Sequence, residues 1–261
     1  MSAILTVNNL VMLKRRRRRG WFRYERNDSR LLDGISFSIA PAEAFAIVGE
    51  EGSGKMALTM GVMGLQPIES GEILLYGHDV ASLGPRPMRR LRKRAQAVFS
   101  DGFGQLTPTH TVDEAFREVV DLWYPRASRS DRQERLEKVM IASGLREAIR
   151  ELYPAELDAV ERQQVALARA LLSEPDLLIC HDITRALDAV ATAELLYRVL
   201  QIREIFSLSL LIVTDDLAVA HHLSDTLAVL HRGRILEQGN RQAIVSHPEH
   251  EYTKRLVSCS L

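Results

Sequence analysis

The segment best suited to chemistry is the glycine-rich stretch GEEGSGKM, Gly49 to Met56. It follows the apolar run Ala44–Val48 and leads into the apolar segment ALTMGVMGL. Gly52 and Gly54 let successive backbone N–H groups converge on phosphate oxygens, while a helix that begins near Lys55 adds its positive end and an ammonium group. The spacing predicts a phosphate-binding loop, G-x-x-x-x-G-K-[ST] in all but its last place. The alternative interpretation is a glycine-rich turn with a structural role only.

The last place of this pattern is occupied by Met56. A hydroxyl there would bind magnesium, and a thioether is a poor ligand for that hard, oxygen-seeking cation. We therefore predict ATP as a possible ligand, regard magnesium as doubtful and assign no metal ligand. The candidate cofactor-binding residues are Gly49, Glu50, Glu51, Gly52, Ser53, Gly54, Lys55, Met56 and Ala57.

The composition narrows the class of protein. The 261 residues are 46% hydrophobic, and the longest apolar segments fall short of the roughly 20 residues of a membrane span, which predicts a soluble, cytoplasmic protein. Thirty-four basic residues balance thirty-four acidic ones, which argues against a nucleic-acid partner. Cys180 and Cys259 are far apart in sequence, which argues against a disulfide framework or a cysteine metal cluster.

Two basic clusters stand out against this neutral balance. One runs from Lys14 to Arg19 and is followed by Trp21, Phe22 and Tyr24, and the other runs from Arg89 to Arg94. Both are compatible with anionic lipid headgroups. A solvated hairpin loop and a solvated helix face are the simpler interpretations, and the three aromatic residues could instead stack on an adenine ring.

The periodicity of the chain predicts the elements that position the loop. Ile4 to Val11 and Leu31 to Ile39 are typical of antiparallel strands, Glu69 to Gly77 of a hairpin strand, and a further strand ends at Val98 to Ser100. Helix signals dominate from about Thr107 to Leu172.

Within that helical stretch, two capping boxes are predicted, one from Thr111 to Glu114 and one from Ser130 to Gln133. After it, LLIC and LLIVT predict two buried parallel strands joined by a crossover helix, AELLYRVLQIREIF. The segment Leu227 to Gly239 predicts a hairpin turning at Gly233, and HPEHEYTKRLV a short surface helix.

The remaining histidines do not predict a metal site. His221 and His222 are adjacent on a predicted helix and therefore do not share a face. His247 and His250 have a spacing that could bind a metal ion, but a solvated tail is the simpler interpretation.

The order of four segments extends these local predictions. The phosphate loop precedes VFSDGFGQLTPTHTVDEAF, YPAELDAVERQQVALARALLSEPDLLICHDITRALD and LLIVTDDLAVAHHLSD. Nearly the whole chain resembles the nucleotide-binding subunits of ABC transporters. Its motifs are most similar to those of the peptide, dipeptide and nickel importer class. Within that class, RRGWFRYE and EHEYTKRLV resemble Sap transporters, which are associated with antimicrobial-peptide resistance and polyamine transport.

The resemblance implies an α/β fold, a P-loop NTPase core of ABC type with an antiparallel β subdomain and an inserted helical subdomain. The chain would form a single ATP-binding domain. Its α/β core would cover 1–100 and 170–240, its helical insert 101–169, and a C-terminal extension 241–261. In this family two subunits face each other head to tail, and each ATP lies between the phosphate loop of one and the signature helix of the other.

The chain departs from the family pattern where ATP would react. Ser100 takes the place of the loop glutamine, His181 that of the magnesium-binding aspartate, and Asp182 that of the catalytic glutamate, one methylene shorter. Asp215 replaces the switch histidine. Asp182 and Asp215 are therefore retained as degenerate catalytic candidates, while the turn Arg185 to Asp188 follows the family pattern away from the reacting phosphate.

The signature segment is altered as well. The family's L-S-G-G-Q stands here as Leu157, Asp158, Ala159, Val160 and Glu161. Val160 would block close approach of the partner's ATP, and each carboxylate about 4 Å from a phosphate charge would cost roughly 4 kcal/mol at an effective dielectric of 20.

These changes imply an ATP-binding subunit that is non-catalytic or weakly catalytic. Its partners would be a second ATP-binding subunit, in a heterodimer, and two transmembrane permease subunits for peptides or polyamines. It would lie peripherally on the cytoplasmic face of the bacterial inner membrane. A competent transport ATPase with Asp182 as base, and a regulatory pseudo-ATPase without a transporter, are the alternatives.

Overall fold

The computed structural model describes residues 3–14, 29–100 and 104–260. The basic run Arg15 to Arg19 and the aromatic residues Trp21, Phe22 and Tyr24 lie outside them, so the predictions of lipid contact and adenine stacking for that segment are untested.

The described residues form two sheets and flanking helices. The strands are β1 (Leu5–Lys14), β2 (Ser29–Ile39), β3 (Ala44–Val48), β4 (Ser70–Leu75), β5 (His78–Asp79), β6 (Ala95–Phe99), β7 (Leu177–His181), β8 (Ser209–Thr214), β9 (Thr226–His231) and β10 (Arg234–Asn240). The helices are α1 (Lys55–Val62), α2 (Pro85–Arg94), α3 (Val112–Trp123), α4 (Arg129–Ser143), α5 (Ala159–Leu171), α6 (Ala189–Phe206), α7 (Leu217–Leu223), α8 (Arg241–Ser246) and α9 (Glu251–Ser260). Short 3-10 helices cover Glu147–Glu151 and Pro154–Glu156.

The larger sheet has the strand order β10-β9-β3-β8-β7-β6. Its five strands from β9 to β6 are parallel, and the edge strand β10 is antiparallel to β9. Val48 at the end of β3 pairs with Thr214 at the end of β8, and His181 at the end of β7 pairs with Val213. The carboxyl ends of these strands therefore meet at one edge, which is where ligands bind in open α/β sheets. The smaller sheet, β2-β1-β4-β5, is antiparallel, as the sequence predicted for its first strands.

Two apolar layers cover the faces of the parallel sheet. On β3, Phe45 and Ile47 pack with helix α1 and the antiparallel sheet, whereas Ala46 and Val48 pack with the helices on the other face. This alternation follows from the period of two along a strand, and both faces are buried because helices or a second sheet cover each. The predicted crossover is confirmed, since α6 connects the neighbouring parallel strands β7 and β8.

One predicted helix start is confirmed and the other is wrong. Thr111 and Glu114 form the expected capping box at α3. At α4 the box is formed by Ser128 and Asp131, two residues earlier than the predicted Ser130 and Gln133. Ser130 instead lies inside the first turn, where its hydroxyl is 2.8 Å from that of Ser128.

Three further predictions from the periodicity can be compared with the structure. The hairpin β9–β10 turns at Arg232 and Gly233, both with positive φ, as predicted for Gly233. The C-terminal segment forms α9, but its Thr253 is fully buried, so that helix is not simply a surface element. On α2, Arg92 donates to the carbonyls of Met63 (2.9 Å) and Gly64 (3.0 Å). The basic cluster from Arg89 to Arg94 is therefore not simply a solvated helix face, because one of its residues binds the end of α1.

Candidate functional site

The predicted phosphate loop connects β3 to α1, and its backbone depends on two of its glycines. Gly54 has φ +113°, and a Cβ there would lie 2.5 Å from the carbonyl oxygen of Leu31. A Cβ on Gly49 would lie 2.2 Å from the carbonyl oxygen of Leu230. Side chains are therefore excluded sterically at both positions, and the loop is pressed against β2 and β9.

Lys55 begins α1 and is buried with its ammonium inside the loop. The Nζ atom donates to the carbonyl oxygen of Gly49 and to that of Glu50, which lies 3.0 Å away. Burial lowers the pKa of Lys55 despite the opposing charges of Asp182 and Asp215. The loop thus has one buried cation held by neutral carbonyls, which leaves its charge available to an anion.

His181 ends strand β7 and is buried beside α1. Its Nδ1 lies 2.8 Å from Oγ1 of Thr59, and its Nε2 lies 3.6 Å from a carboxylate oxygen of Asp182. Burial, together with the charges of Lys55 and Arg185, lowers the pKa of His181 to about 4. The ring is therefore neutral near pH 7 and is hydrogen-bonded to a helix residue.

Asp182 follows directly and adopts a left-handed backbone with φ +49°. It is buried, and among the described residues its Oδ1 has no hydrogen-bond partner. Burial raises the pKa of this carboxyl, although the charge of Lys55 opposes the shift. An unpaired polar atom in a strained backbone is costly, and such features cluster at functional sites.

These residues line a cavity of about 620 Å³ at the carboxyl edge of the parallel sheet. Of the predicted residues, the structure brings together in its wall Glu51, Gly52, Gly54, Lys55, Met56, Ala57, Ser100, His181, Asp182 and Asp215. Gly49, Glu50 and Ser53 do not line it. Leu13, Lys14, Leu31, Gln66 and Arg185 complete the described wall.

Comparison with known proteins identifies the family. The sequence profile described as "ABC transporter" matches residues 32–185. The oligopeptide transport ATP-binding protein OppF of Lactococcus lactis is 30% identical over 258 residues, which is 99% of this chain and 80% of that protein. The chain belongs to the ABC transporter family. OppF of Salmonella typhimurium is 31% identical over 91% of this chain and 71% of its own length, and a putative peptide import ATP-binding protein of Brucella ovis is 34% identical over 88% and 72%.

Solved structures agree on the fold. The chain superposes on cbiO1 from Clostridium perfringens, part of the ABC transporter complex cbiONQ, with a TM-score of 0.81 at 22% identity, covering 95% of this chain and 92% of that one. It superposes on a dimeric ATP-binding cassette bound to ADP and Pi with a TM-score of 0.78 at 20% identity, covering 91% and 98%. The fold is therefore the predicted P-loop NTPase core of ABC type, with an antiparallel β subdomain and a helical subdomain.

The predicted signature segment, Leu157 to Glu161, lies at the N-terminus of α5. Asp158 is the N-cap, and it forms a capping box with Glu161, whose backbone N–H donates to Asp158 at 2.8 Å. Arg146 pairs with Glu161 at 2.8 Å. The positive end of this helix is thus already neutralised by the chain's own carboxylates.

The segment around Ser100 joins the core to the helical region. Gln163 of α5 donates to the carbonyl oxygens of Phe99 (3.2 Å) and Ser100 (2.7 Å). Gln105 bonds both the N–H and the carbonyl of Phe99, at 3.2 and 3.1 Å. The backbone at Ser100 is therefore attached to α5, although residues 101–103 lie outside the described part of the chain.

Two side chains occupy the places for which the resemblance to ABC cassettes implies magnesium ligands. They are the thioether of Met56, whose side chain is 48% exposed, and the imidazole of His181, whose Nδ1 is already hydrogen-bonded to Thr59. Magnesium prefers oxygen ligands in an octahedral arrangement, and neutral imidazole suits softer metals. These two side chains therefore offer no oxygen atom to a magnesium ion.

Sequence analysis missed two contributors to this site. Thr59 carries no motif of its own, and only the packing of α1 against β7 brings it to His181. Arg185 was placed away from the reacting phosphate, yet its side chain lines the cavity and lies 3.3 Å from Glu51. A cation in the turn directly after a predicted parallel strand was the available signal, since ligands bind at the carboxyl ends of such strands.

Two further properties of the described residues concern membrane-spanning helices and clusters of metal-binding side chains. No helix in the described ranges is long and apolar enough to span a membrane. Among the same residues, no group of three or more His, Cys, Asp or Glu side chains is arranged to hold a metal ion.

The two neighbouring aspartates after β8 have different roles. The carboxylate of Asp216 caps α7 by accepting hydrogen bonds from the backbone N–H groups of Ala218 and Val219. Asp215, in contrast, lies in the cavity wall.

Proposed function

We propose that this chain is an ATP-binding subunit of a peptide-transporting ABC importer and that its own site hydrolyses ATP weakly or not at all. The phosphate loop, with Lys55 buried inside it, supports ATP as the ligand. The relatives named for oligopeptide transport and peptide import support peptides as the cargo class. Polyamines, which the resemblance to Sap transporters implies, lack comparable support.

The observation that carries the loss of catalysis is the hydrogen bond between His181 and Thr59. This bond holds a neutral, buried imidazole at the position for which the resemblance implies a metal-binding aspartate. Residue 181 itself then supplies no oxygen anion to hold a divalent cation, so hydrolysis through such a cation is disfavoured. Asp182 also reaches less far than a glutamate, and a misplacement of about 1 Å can cost about 100-fold in rate.

The proposed assembly has a second, different ATP-binding subunit and two membrane permease subunits. The helical region, residues 101–169 in the proposed domain division, would dock one permease through the groove near Ser100. The self-capped N-terminus of α5 is a poor site for the partner's ATP, because Asp158 and Glu161 add negative charge there. A partner subunit that supplies cations there would offset the negative charge of Asp158 and Glu161. The complex would lie peripherally at the inner membrane.

A competent ATPase is the second candidate, and one observation favours it. Asp182 lies in the cavity wall with a pKa raised by burial, and a carboxylate with a raised pKa is suited to act as a general base. The missing metal ligands weigh against this candidate. A regulatory pseudo-ATPase without a transporter is less favoured than both, because the importer-type helical region remains.

The experiment combines equilibrium ATP binding and turnover on the purified full chain. Wild type and Lys55→Ala are compared in the presence of magnesium, and phosphate release is measured on the same samples. We expect wild type to bind ATP, Lys55→Ala to lose most of that affinity, and phosphate release to stay at the level of the Lys55→Ala variant. Magnesium-dependent turnover well above that level would establish the competent ATPase instead.

A further inference from the structure

Arg185 is the unexplained cation of the ATP site. We propose that Arg185 and Lys55 together bind the triphosphate of ATP without a divalent cation, with Arg185 supplying the positive charge that a metal ion would otherwise bring. This inference rests on the proposed ATP-binding function and specifies how the same cavity is used.

The turn after β7 fixes the position of Arg185. Its backbone N–H donates to the carbonyl of Asp182 at 3.1 Å, and that of Leu187 donates to Thr184 at 3.0 Å. Asp188 then caps α6 by accepting from Ala191 at 2.8 Å. The Cα of Arg185 is therefore held by a hydrogen-bonded turn beside the cavity, while its long side chain remains free to adjust.

The side chain already reaches across to the phosphate loop. Its Nη2 lies 3.3 Å from a carboxylate oxygen of Glu51, and both side chains line the cavity with Gly52, Gly54 and Lys55. Arg185 is 50% exposed and Glu51 83% exposed. An exposed ion pair of this kind contributes little and exchanges easily, so a phosphate can replace the carboxylate. The position of the Glu51 carboxylate therefore indicates where the guanidinium of Arg185 can bind an anion at the phosphate loop.

The negative charge of the cavity wall favours a role for Arg185 in binding the triphosphate. Glu51, Asp182 and Asp215 line it, and the triphosphate would add further negative charge. His181 cannot offset this charge because its ring is neutral near pH 7. Among the described residues of the wall, the cations are Lys14, Lys55 and Arg185. Arg185 is the one whose planar fork can bind two phosphate oxygens at once.

The test is the dissociation constant of ATP, measured by titration calorimetry in EDTA and again in magnesium. Because at least one charge-assisted hydrogen bond to phosphate is lost, Arg185→Ala should weaken binding in EDTA by about tenfold or more. Glu51→Gln should strengthen it by about threefold, because it removes the anion that competes for Arg185. Magnesium should leave the wild-type constant nearly unchanged.

A matched control is Arg94→Ala. Arg94 is 51% exposed and pairs with the single carboxylate of Asp176 at 2.7 Å, but it does not line the cavity. This variant should bind ATP as wild type does. Thermal melting of each variant checks folding, and the gain in Glu51→Gln tests the proposal in a protein that retains Arg185.

The outcomes separate this inference from the proposed function. If wild type binds ATP in a Lys55-dependent way but Arg185→Ala and Glu51→Gln leave the constant unchanged, the role of Arg185 is refuted and ATP binding stands. If magnesium strengthens wild-type binding by about tenfold, the metal-free mode is refuted. If wild type binds no ATP in either buffer, the proposed function fails and this inference fails with it.

Discussion

Oγ1 of Thr59 and Nδ1 of His181 lie 2.8 Å apart and join the second turn of helix α1 to the end of strand β7. Both side chains are buried, so each satisfies the polar group of the other. The contact ties the helix that follows the phosphate loop directly to the sheet. The residue at the end of β7 thus contributes to the packing of α1 against the sheet.

The buried imidazole should make the protein sensitive to acid. Its pKa is about 4 when folded and about 6.5 when unfolded, so the unfolded state binds more protons between these values and stability falls as the pH drops through that window. Between pH 7 and pH 5 the loss from this group should be about 2 kcal/mol. Urea unfolding should show that His181→Gln, whose amide can still bond Thr59, lacks this part of the loss.

The control for that measurement is His78→Gln, because His78 is exposed on β5. It should follow the wild-type pH dependence. Equal acid sensitivity of wild type and His181→Gln would show that the imidazole is hydrated in solution.

Replacing Asp182 should stabilise the fold. The carboxyl is buried with its pKa raised by burial, so its ionised form opposes folding above the ordinary pKa of 3.8. Asparagine has a similar shape and tolerates positive φ. Asp182→Asn should therefore raise the melting temperature at pH 7 by about 2–4 °C for each kcal/mol gained. The gain should shrink as the pH falls towards 4.

An exposed carboxylate gives the comparison. Glu118→Gln on α3 should change the melting temperature little at either pH. A destabilised Asp182→Asn would mean that the carboxylate has a stabilising partner in solution.

Two glycines of the phosphate loop form a matched pair. Both have positive φ, but a Cβ on Gly52 meets nothing within 4 Å, whereas one on Gly54 would lie 2.5 Å from the carbonyl oxygen of Leu31. Gly52→Ala should cost about 1–2 kcal/mol from backbone strain alone. Gly54→Ala adds overpacking and should cost roughly 2–5 kcal/mol in total. Equal losses of unfolding free energy in urea would contradict this packing.

The sequence predicted the elements of the fold well because their signals are local. Alternation along β2, the apolar runs of β7 and β8 and the box at Thr111 each depend on a few neighbouring residues. The start of α4 was placed two residues late because Ser128 and Ser130 each have a suitable partner three residues on. Only the path of the preceding turn decides between them.

The site was harder to predict where it depends on tertiary contacts. Thr59 and His181 are 122 residues apart, and neither the helix pattern nor the strand pattern indicates that they bond. The direction of the Arg185 side chain depends on the turn after β7. Changes of residue type within motifs were visible from the sequence, whereas the new partners of the changed residues were not.

The cap of α5 should have a measurable effect on stability. Asp158 accepts the Glu161 N–H, and replacement of such a cap by alanine typically costs about 1 kcal/mol. Asp158→Ala should therefore lower the free energy of unfolding by about that amount, while Asp158→Ser, which keeps an acceptor, should remain close to wild type. If both variants unfold like wild type, the capping box is not formed in solution.

On the proposed binding of ATP without a metal ion, introducing oxygen ligands should create a response to magnesium. In Met56→Ser combined with His181→Asp, a hydroxyl and a carboxylate replace the thioether and the imidazole, neither of which has an oxygen atom for the ion. Magnesium should then strengthen ATP binding by about tenfold or more relative to EDTA, since loss of single supporting groups at metal sites costs 10–100-fold. Titration calorimetry in both buffers measures this.

The single variants and Met56→Ala with His181→Asp are the controls for that experiment. Each lacks one of the two oxygen ligands and should respond less than the double variant. Turnover is not expected to accompany metal binding, because Asp182 and Asp215 are unchanged in these variants. A double variant that binds ATP equally in both buffers would place the cause of metal loss outside these two positions, with Ser100 the next residue of the cavity wall to change.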